Sequence, residues 1–259
     1  MLQGEIVGIV FNEAIGVAWF AINRYESADP TAVVYAVDTA SGKSLGSANL
    51  GMRASNVILQ LDKKTGSVFA SPVSMPETKV TSYLLTLRRT GVVSRRITGD
   101  GHISDAEFAD KKLILGLESG QVECHDDEIP NNEWNSSNLG MYSVSAISVN
   151  GTICAIGHCG GNAVIADGSV DFIDLSNGNV ERQLDVNGCV DSIAHVDTMT
   201  LVGMQDGRLI VDSGDITNTF RVPTNQGPAG IDSIFVIGPN VLLIMGQQIF
   251  KFRANDLRH

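Results

Sequence analysis

The phrase GCVDSIAHVDTMTLVGMQDGRLIV, Gly188–Val211, constrains this chain more than any other stretch. Val190–Val196 alternates apolar and polar residues, the period of a strand with one buried face. Met199–Gly203 is a brief apolar run, and Asp206-Gly207 makes a tight turn into Arg208–Val211. The phrase therefore reads as three short strands. It recurs along the chain, so the sequence is an array of one repeated unit.

Six units are legible. Each opens on a short alternating strand that begins with a β-branched residue: Ile6, Val57, Ile103, Val144, Val190 and Ile231, at spacings of 51, 46, 41, 46 and 41 residues. With strands named a to d, unit one reads Ile6–Phe11, Ile15–Ile22, Thr31–Asp38 and Ser44–Leu50, and unit four Val144–Val149, Ile153–Gly157, Ser169–Leu175 and Val180–Val186. In unit two, Ser82–Arg89 turns at Thr90-Gly91 into VVSRRI. In unit five, Ile216–Val222 is the outer strand, and unit six runs Ile231–Ile237, Val241–Gly246 and Gln248–Phe252. Unit three has Ile103–Phe108, Lys112–Leu117 and Gln121–His125. Its next segment, Asp126–Asn138, is polar and holds Pro130, so it reads as a loop or a poor edge strand. No segment has a helical period, and Val, Ile, Thr and Gly dominate.

The turn between strands b and c is the best-kept signature. It reads Glu118-Ser119-Gly120, then Asp167-Gly168, then Asp206-Gly207, each followed by an alternating strand. This resembles the strand-connecting turn of WD40 repeats, whose blades carry four strands in about 40–45 residues. Gly101-His102 before unit three is similar to the Gly-His of that family, while the Trp-Asp dipeptide occurs nowhere. The resemblance implies an all-β fold: a β-propeller of about six four-stranded blades in one domain, residues 1–259. The last unit lacks an outer strand, because only Ala254–His259 follow Gln248–Phe252. Three readings stay open. Met1–Glu5 closes the ring weakly; or this is an incomplete seven-unit chain; or a partner donates the strand to the open edge. The third resembles the open propellers of vesicle coats and nuclear pores.

Charge and cysteine content narrow the function. A net charge of −11 disfavours general nucleic-acid or anionic-lipid binding and leaves basic protein partners open. The cysteines at 124, 154, 159 and 189 form no CxxC pair and read as buried thiols of a reducing compartment. Cys154, His158 and Cys159 lack a second cluster to complete a zinc site, so no metal is expected. Sequons at Asn135 and Asn150 matter only in a secreted chain. The start of the chain does not read as a signal peptide, and Asn12 and Glu13 interrupt the apolar run Ile6–Ile22, so no transmembrane segment is expected. The expected location is intracellular, cytoplasmic or nuclear.

Candidate contacts follow from the longer units, whose extra residues fall between strands b and c at Asn23–Pro30, Ser71–Val80 and His158–Asp167. Arg24, Tyr25, Met75, Pro76 and His158 are the candidates for protein contact there, because loops on a rigid scaffold carry binding residues. Trp134, among the acids of Asp126–Asn138, either docks a basic peptide or packs against the flank of the fold, the second being favoured. Arg88, Arg89, Arg95 and Arg96 flank one hairpin turn, and facing strands would gather them into a basic patch. Leu87-Arg88-Arg89-Thr90-Gly91 resembles the Phe/Leu-Arg-Arg-Gly motif of phosphoinositide-binding propellers, with Thr90 where Gly belongs, which makes phosphate contact an alternative.

An enzyme is the other alternative. VYAVDTASGK at 34–43 and FIDLSNGN at 172–179 resemble the strand-turn unit of quinoprotein and lactonase-like propellers. Yet no G-x-S-x-G, H-E-x-x-H or phosphate loop occurs, and His102, His125, His158 and His195 are scattered over different units. Asp105, Asp191 and Asp232 occupy corresponding inner-strand regions, where a catalytic set would have to gather. The favoured expectation is a non-enzymatic scaffold, without cofactor. It would be a subunit of a coat, nuclear-pore or regulatory complex whose partners are other proteins.

Overall fold

The computed structural model describes residues 4–24, 31–73, 81–97, 102–126, 132–136, 142–162, 165–223 and 229–258. The first sheet is β1 (Glu5–Asn12), β2 (Val17–Arg24), β3 (Thr31–Asp38) and β4 (Ser44–Asn49). The second is β5 (Asn56–Leu61), β6 (Val68–Val73), β7 (Ser82–Arg88) and β8 (Gly91–Ile97). The third is β9 (Ile103–Ala109), β10 (Lys112–Leu117), β11 (Val122–Asp126) and β12 (Asn132–Ser136). The fourth holds β13 (Ser143–Asn150), β14 (Ile153–Asn162), the short β15 (Ile165–Asp167), β16 (Ser169–Asp174) and β17 (Val180–Asp185). The fifth is β18 (Val190–Val196), β19 (Met199–Met204), β20 (Arg208–Asp212) and β21 (Thr217–Arg221). The sixth has three strands, β22 (Ser233–Ile237), β23 (Asn240–Met245) and β24 (Gln248–Arg253). Among the described residues the only helices are 3-10 turns at Glu13–Ile15 and Ala254–Leu257. The chain divides into two compact units, 1–112 and 113–259.

Residue pattern explains which strand lies where. Middle strands are covered on both faces and read as continuous apolar runs, such as MTLVGM in β19, buried at every position. Outer strands face solvent on one side and alternate, as TNTFR does in β21. In the first unit the core joins Trp19, Ala21, Val34 and Ala36 of the first sheet to Val57, Val68, Ala70 and Leu85 of the second. In the second unit, Val170 and Phe172 of the fourth sheet pack with Val190 and Val202 of the fifth. Leu201 and Leu209 of the fifth pack with Val241 and Leu243 of the sixth.

One joint recurs between consecutive sheets. A residue without a side chain in the first hairpin of one sheet receives the first β-branched residue of the next. A Cβ added to Gly157 of β14 would stand 2.5 Å from Val190 Cγ1, and one added to Gly203 of β19 would stand 2.7 Å from Ile231 Cγ2. Gly116 of β10 meets Val144 in the same way, and Gly8 of β1 approaches the backbone oxygen of Val57 and the side chain of Leu59. Only glycine permits so close an approach. At Gly116, Gly157 and Gly203 a knob at one unit's start thus meets a notch in the hairpin before it.

Four expectations change. The polar stretch 126–138 was expected to be a loop or poor edge strand. It contains β12, which pairs with β11 through Val122↔Ser136 and Cys124↔Trp134. An outer strand needs few apolar residues because one edge and one face are solvated. The insertion expected as a loop from His158 is an extension of β14 that pairs with β15, Gly160 facing Asp167. Two of the four cysteines are not thiols: a disulfide joins Cys159 to Cys189, leaving Cys124 and Cys154 free and buried. Finally, Ala254–Leu257 is not merely a polar tail. Ala254 and Leu257 are buried with Met199 and Val211. The missing outer strand stands as expected: β24 pairs only with β23 among the described residues.

Candidate interaction surface

The turns that suggested chemistry are held by their own carboxylates. Asp38 Oδ1 accepts from Ser41 N at 2.7 Å and Ser41 Oγ at 2.6 Å, which holds the Asp38 carboxyl below its usual range. Gly42 N donates to Asp38 O at 2.8 Å. The same Asp-x-x-x-Gly turn recurs at Asp174–Gly178, where Ser176 N reaches Asp174 Oδ1 at 2.7 Å. It occurs a third time at Asp62–Gly66, between β5 and β6 rather than at an outer hairpin. A motif that serves two kinds of connection is turn chemistry, with side-chain oxygens satisfying backbone donors. The quinoprotein-like segments 34–43 and 172–179 are such turns.

Three of the histidines have partners within the fold. His158 was expected on a surface loop; instead its side chain is fully buried in β14, with Nε2 3.0 Å from Asp171 Oδ2. Its Nδ1 lies 3.2 Å from Tyr142 O, and Asp171 Oδ1 accepts from Gln183 Nε2 at 2.7 Å. No surface is left on His158 for a partner, because its side chain is fully enclosed. His125 pairs with Glu123 at 2.9 Å, both buried. His195 Nε2 lies 3.2 Å from Ser148 O and its Nδ1 3.2 Å from Thr200 Oγ1. Burial lowers its pKa, against a smaller opposing effect of the Ser148 carbonyl.

The inner-strand carboxylates occur as pairs. Burial, with the neighbouring Asp105, pushes Glu107 up to about 7, and Glu107 Oε2 accepts from Gln60 Nε2 at 2.7 Å. Burial, with the neighbouring Asp232, pushes Asp191 up to about 6. Asp105 Oδ1 accepts from Ala106 N at 2.8 Å, and Asp232 Oδ2 from Gly246 N at 2.6 Å. Both bonds organise nearby backbone. Among the described residues no three His, Cys, Asp or Glu side chains are grouped to hold a metal ion.

The arginines do not converge. Arg88 pairs with Gly91 at the turn, whereas Leu84 pairs with Arg95 and Tyr83 with Arg96, so the two pairs lie about four residues, roughly 13 Å, apart along the hairpin. Arg95 and Arg96 also point to opposite faces of β8. The register therefore offsets the two pairs along the hairpin, because adjacency there is set by register and not by count from the turn. Arg24 ends β2, half-buried. Tyr25, Met75 and Pro76 lie outside the described residues. Trp134 of β12 is half-buried, its Nε1 donating to Leu175 O at 3.1 Å, while its ring leaves 2.6 Å for a Cβ at Gly178. It covers the turn after β16.

Sequence reasoning missed the exposed apolar residues of the two terminal sheets. In the sixth sheet Phe235, Ile237 and Ile249 are exposed, with Lys251 and Arg253 also exposed on β24. Leu242 faces Lys251 and Ile244 faces Ile249 across the β23–β24 ladder. In the first sheet Ile6, Ile9 and Phe11 of β1 are exposed. Their letters match those of buried strands, so composition alone gives no warning.

No family model matches the chain, and no curated protein matches it. Among solved structures, one similar chain belongs to the crystal structure of the mitotic checkpoint complex. It matches at TM-score 0.71 and 11% identity, over 96% of this chain and 74% of that one. With six consecutive antiparallel sheets in hand, the likeness decides the architecture. The chain folds as a β-propeller. A second match is weaker: the crystal structure of the computationally designed Ika4 protein, at TM-score 0.50 and 12% identity, covering 60% of this chain and 92% of that one. At such identities the likeness extends to the fold alone, and propellers host many unrelated functions.

Proposed function

We propose that this propeller is a non-enzymatic protein-interaction scaffold, a subunit of a multiprotein complex inside the cell. The observation that carries the reading is the sixth sheet. Its outermost strand β24 pairs on one side only among the described residues, and it carries Ile249, 69 % exposed, beside Lys251 and Arg253. An edge of unpaired N–H and C=O groups with an alternating apolar and basic face suits an added strand of apolar and acidic residues. The match to a chain of a multiprotein assembly supports the same reading. The carboxylates and histidines described above are engaged in pairs and turns, which favours a platform over a catalyst.

The test is co-purification of the tagged chain with stoichiometric mass spectrometry, repeated with Ile249→Glu. A partner held at fixed ratio by the native chain and lost from the variant supports the proposal. A chain that purifies alone carrying a metal or small-molecule cofactor overturns it.

A further inference from the structure

A groove opens between the fifth and sixth sheets, inside the unit 113–259. Val196 and Asp197 of the β18–β19 turn, Pro239 and Asn240 of the β22–β23 turn, and Arg253 and Asn255 at the end of β24 line a cavity of about 610 Å³. That is the size of a small-molecule site. Its walls are tied in place. Ala254 N donates to Pro239 O at 2.9 Å, Asn150 Nδ2 to Asp197 O at 3.2 Å, and Arg258 Nη2 to Asp197 Oδ2 at 2.7 Å. Ala254 and Leu257 are buried, which anchors the 3-10 turn that carries Asn255. Within this frame one charge is left over. The third strands of the first, fourth and fifth sheets end on Asp38, Asp174 and Asp212, which accept bonds from Ser41 N, Ser176 N and Thr217 Oγ1. β24 ends on Arg253 instead. Among the described residues its guanidinium has no ion pair or hydrogen bond, and neither has the side-chain amide of Asn255. Asp197, the acid of the same groove, is engaged by Arg258.

We infer that this groove binds a small organic monocarboxylate, its carboxylate held by Arg253 with the Asn240 and Asn255 amides and its apolar body laid on Val196, Pro239 and Ala254. The head group follows from the donors. A guanidinium is a planar fork that matches a carboxylate with two parallel bonds, and amide N–H groups add donors without charge. A single negative charge follows from the balance of the walls. Arg258 offsets Asp197, so one guanidinium remains to neutralise the ligand. A dianion such as phosphate would keep one charge uncompensated beside Asp197, in a chain that carries −11 overall. The apolar body follows from the wall residues, which offer carbon surface at the turns and no further cation. The groove owes its form to contacts within the chain, so the inference stands apart from the scaffold reading.

The experiment titrates the ¹⁵N-labelled full-length chain with benzoate and follows the backbone amides by NMR. Saturable shifts at Gly238, Asn240 and Asn255, with a Kd on the order of 1 mM, support the inference. Arg253→Gln, at an exposed residue, should weaken binding at least about tenfold while the rest of the spectrum stays in place. Lys251→Gln, the neighbouring cation on the same face of β24 but outside the groove, should change it less than about twofold. Benzamide, the neutral analogue, and inorganic phosphate should leave these amides unshifted at the same concentration. The inference is overturned if benzoate shifts nothing in the groove, if Arg253→Gln binds as the native chain does, or if benzamide or phosphate reproduces the shifts. A chain that takes benzoate through Arg253 but co-purifies with no protein keeps this inference and loses the scaffold reading. A chain that holds a partner through Ile249 but ignores benzoate does the reverse.

Discussion

β1 and β18 are built alike and used differently. Both open on a β-branched residue, bulge at the next position, and place a second branched residue three positions on. In β18 the two branched residues are sealed against the fourth sheet, and Cys189, just before Val190, is bonded to Cys159 of β14. In β1 the same pair is left in solvent. Burial is therefore a property of the neighbour, not of the strand: a knob contributes to stability only where a notch receives it. This contrast also shows where an array of repeats can offer binding energy, because apolar surface is most available where the repeat pattern continues without a recipient.

The most severe way to break the contrast is to fill a notch. Gly157→Leu should destabilise the chain by about 3 kcal/mol or more, read as the shift of a urea unfolding midpoint, because the Val190 side chain cannot move aside without displacing β18. Next is the covalent tie. Replacing Cys159 and Cys189 by Ser should cost about 3 kcal/mol for the 30-residue separation. Alkylation of the unreduced, unfolded chain should label Cys124 and Cys154 only.

Trimming the knobs sharpens the comparison directly. Ile193→Ala should cost about 2–3 kcal/mol, whereas Ile9→Ala should cost less than about 0.5 kcal/mol in the isolated chain. Equal costs would mean that the β1 knob is buried in solution.

The smallest effect depends on pH. Burial, with Asp105 beside it, pushes the Glu107 carboxyl from its ordinary 4.5 up to about 7, so the native state holds its proton more tightly than the unfolded state. Its contribution is fully present below pH 4.5 and is lost as pH rises through about 7. Glu107→Gln should therefore raise stability by about 1–2 kcal/mol at pH 8 and change it little at pH 4, in paired thermal melts.

What was legible in the sequence was local. Asp206-Gly207 announces its turn because the positive φ of Gly207, 81°, and the bond from Arg208 N to Asp206 Oδ1 are settled within a few residues. The opening knobs were visible as β-branched residues at regular spacing. What was not legible depended on distant partners. The Cys159–Cys189 bond and the enclosure of His158 by Asp171 are set by packing, not by neighbours in sequence. β12 was obscured because an outer strand needs hydrogen bonds to β11 more than it needs apolar letters. The exposure of Ile6 and Ile9 could not be read at all, since their letters match those of the buried knobs.

The chain has two tryptophans, and the fold assigns one to each compact unit. Trp19 is completely enclosed within residues 1–112, while Trp134 lies half-covered within residues 113–259, its indole tied to Leu175. Replacing either ring by Phe would leave a single tryptophan, and its emission maximum, excited at the red edge where tyrosine does not absorb, would follow the melting of the half that keeps it. Superimposable melting curves would identify one cooperative block; curves that separate would identify two, without any added label.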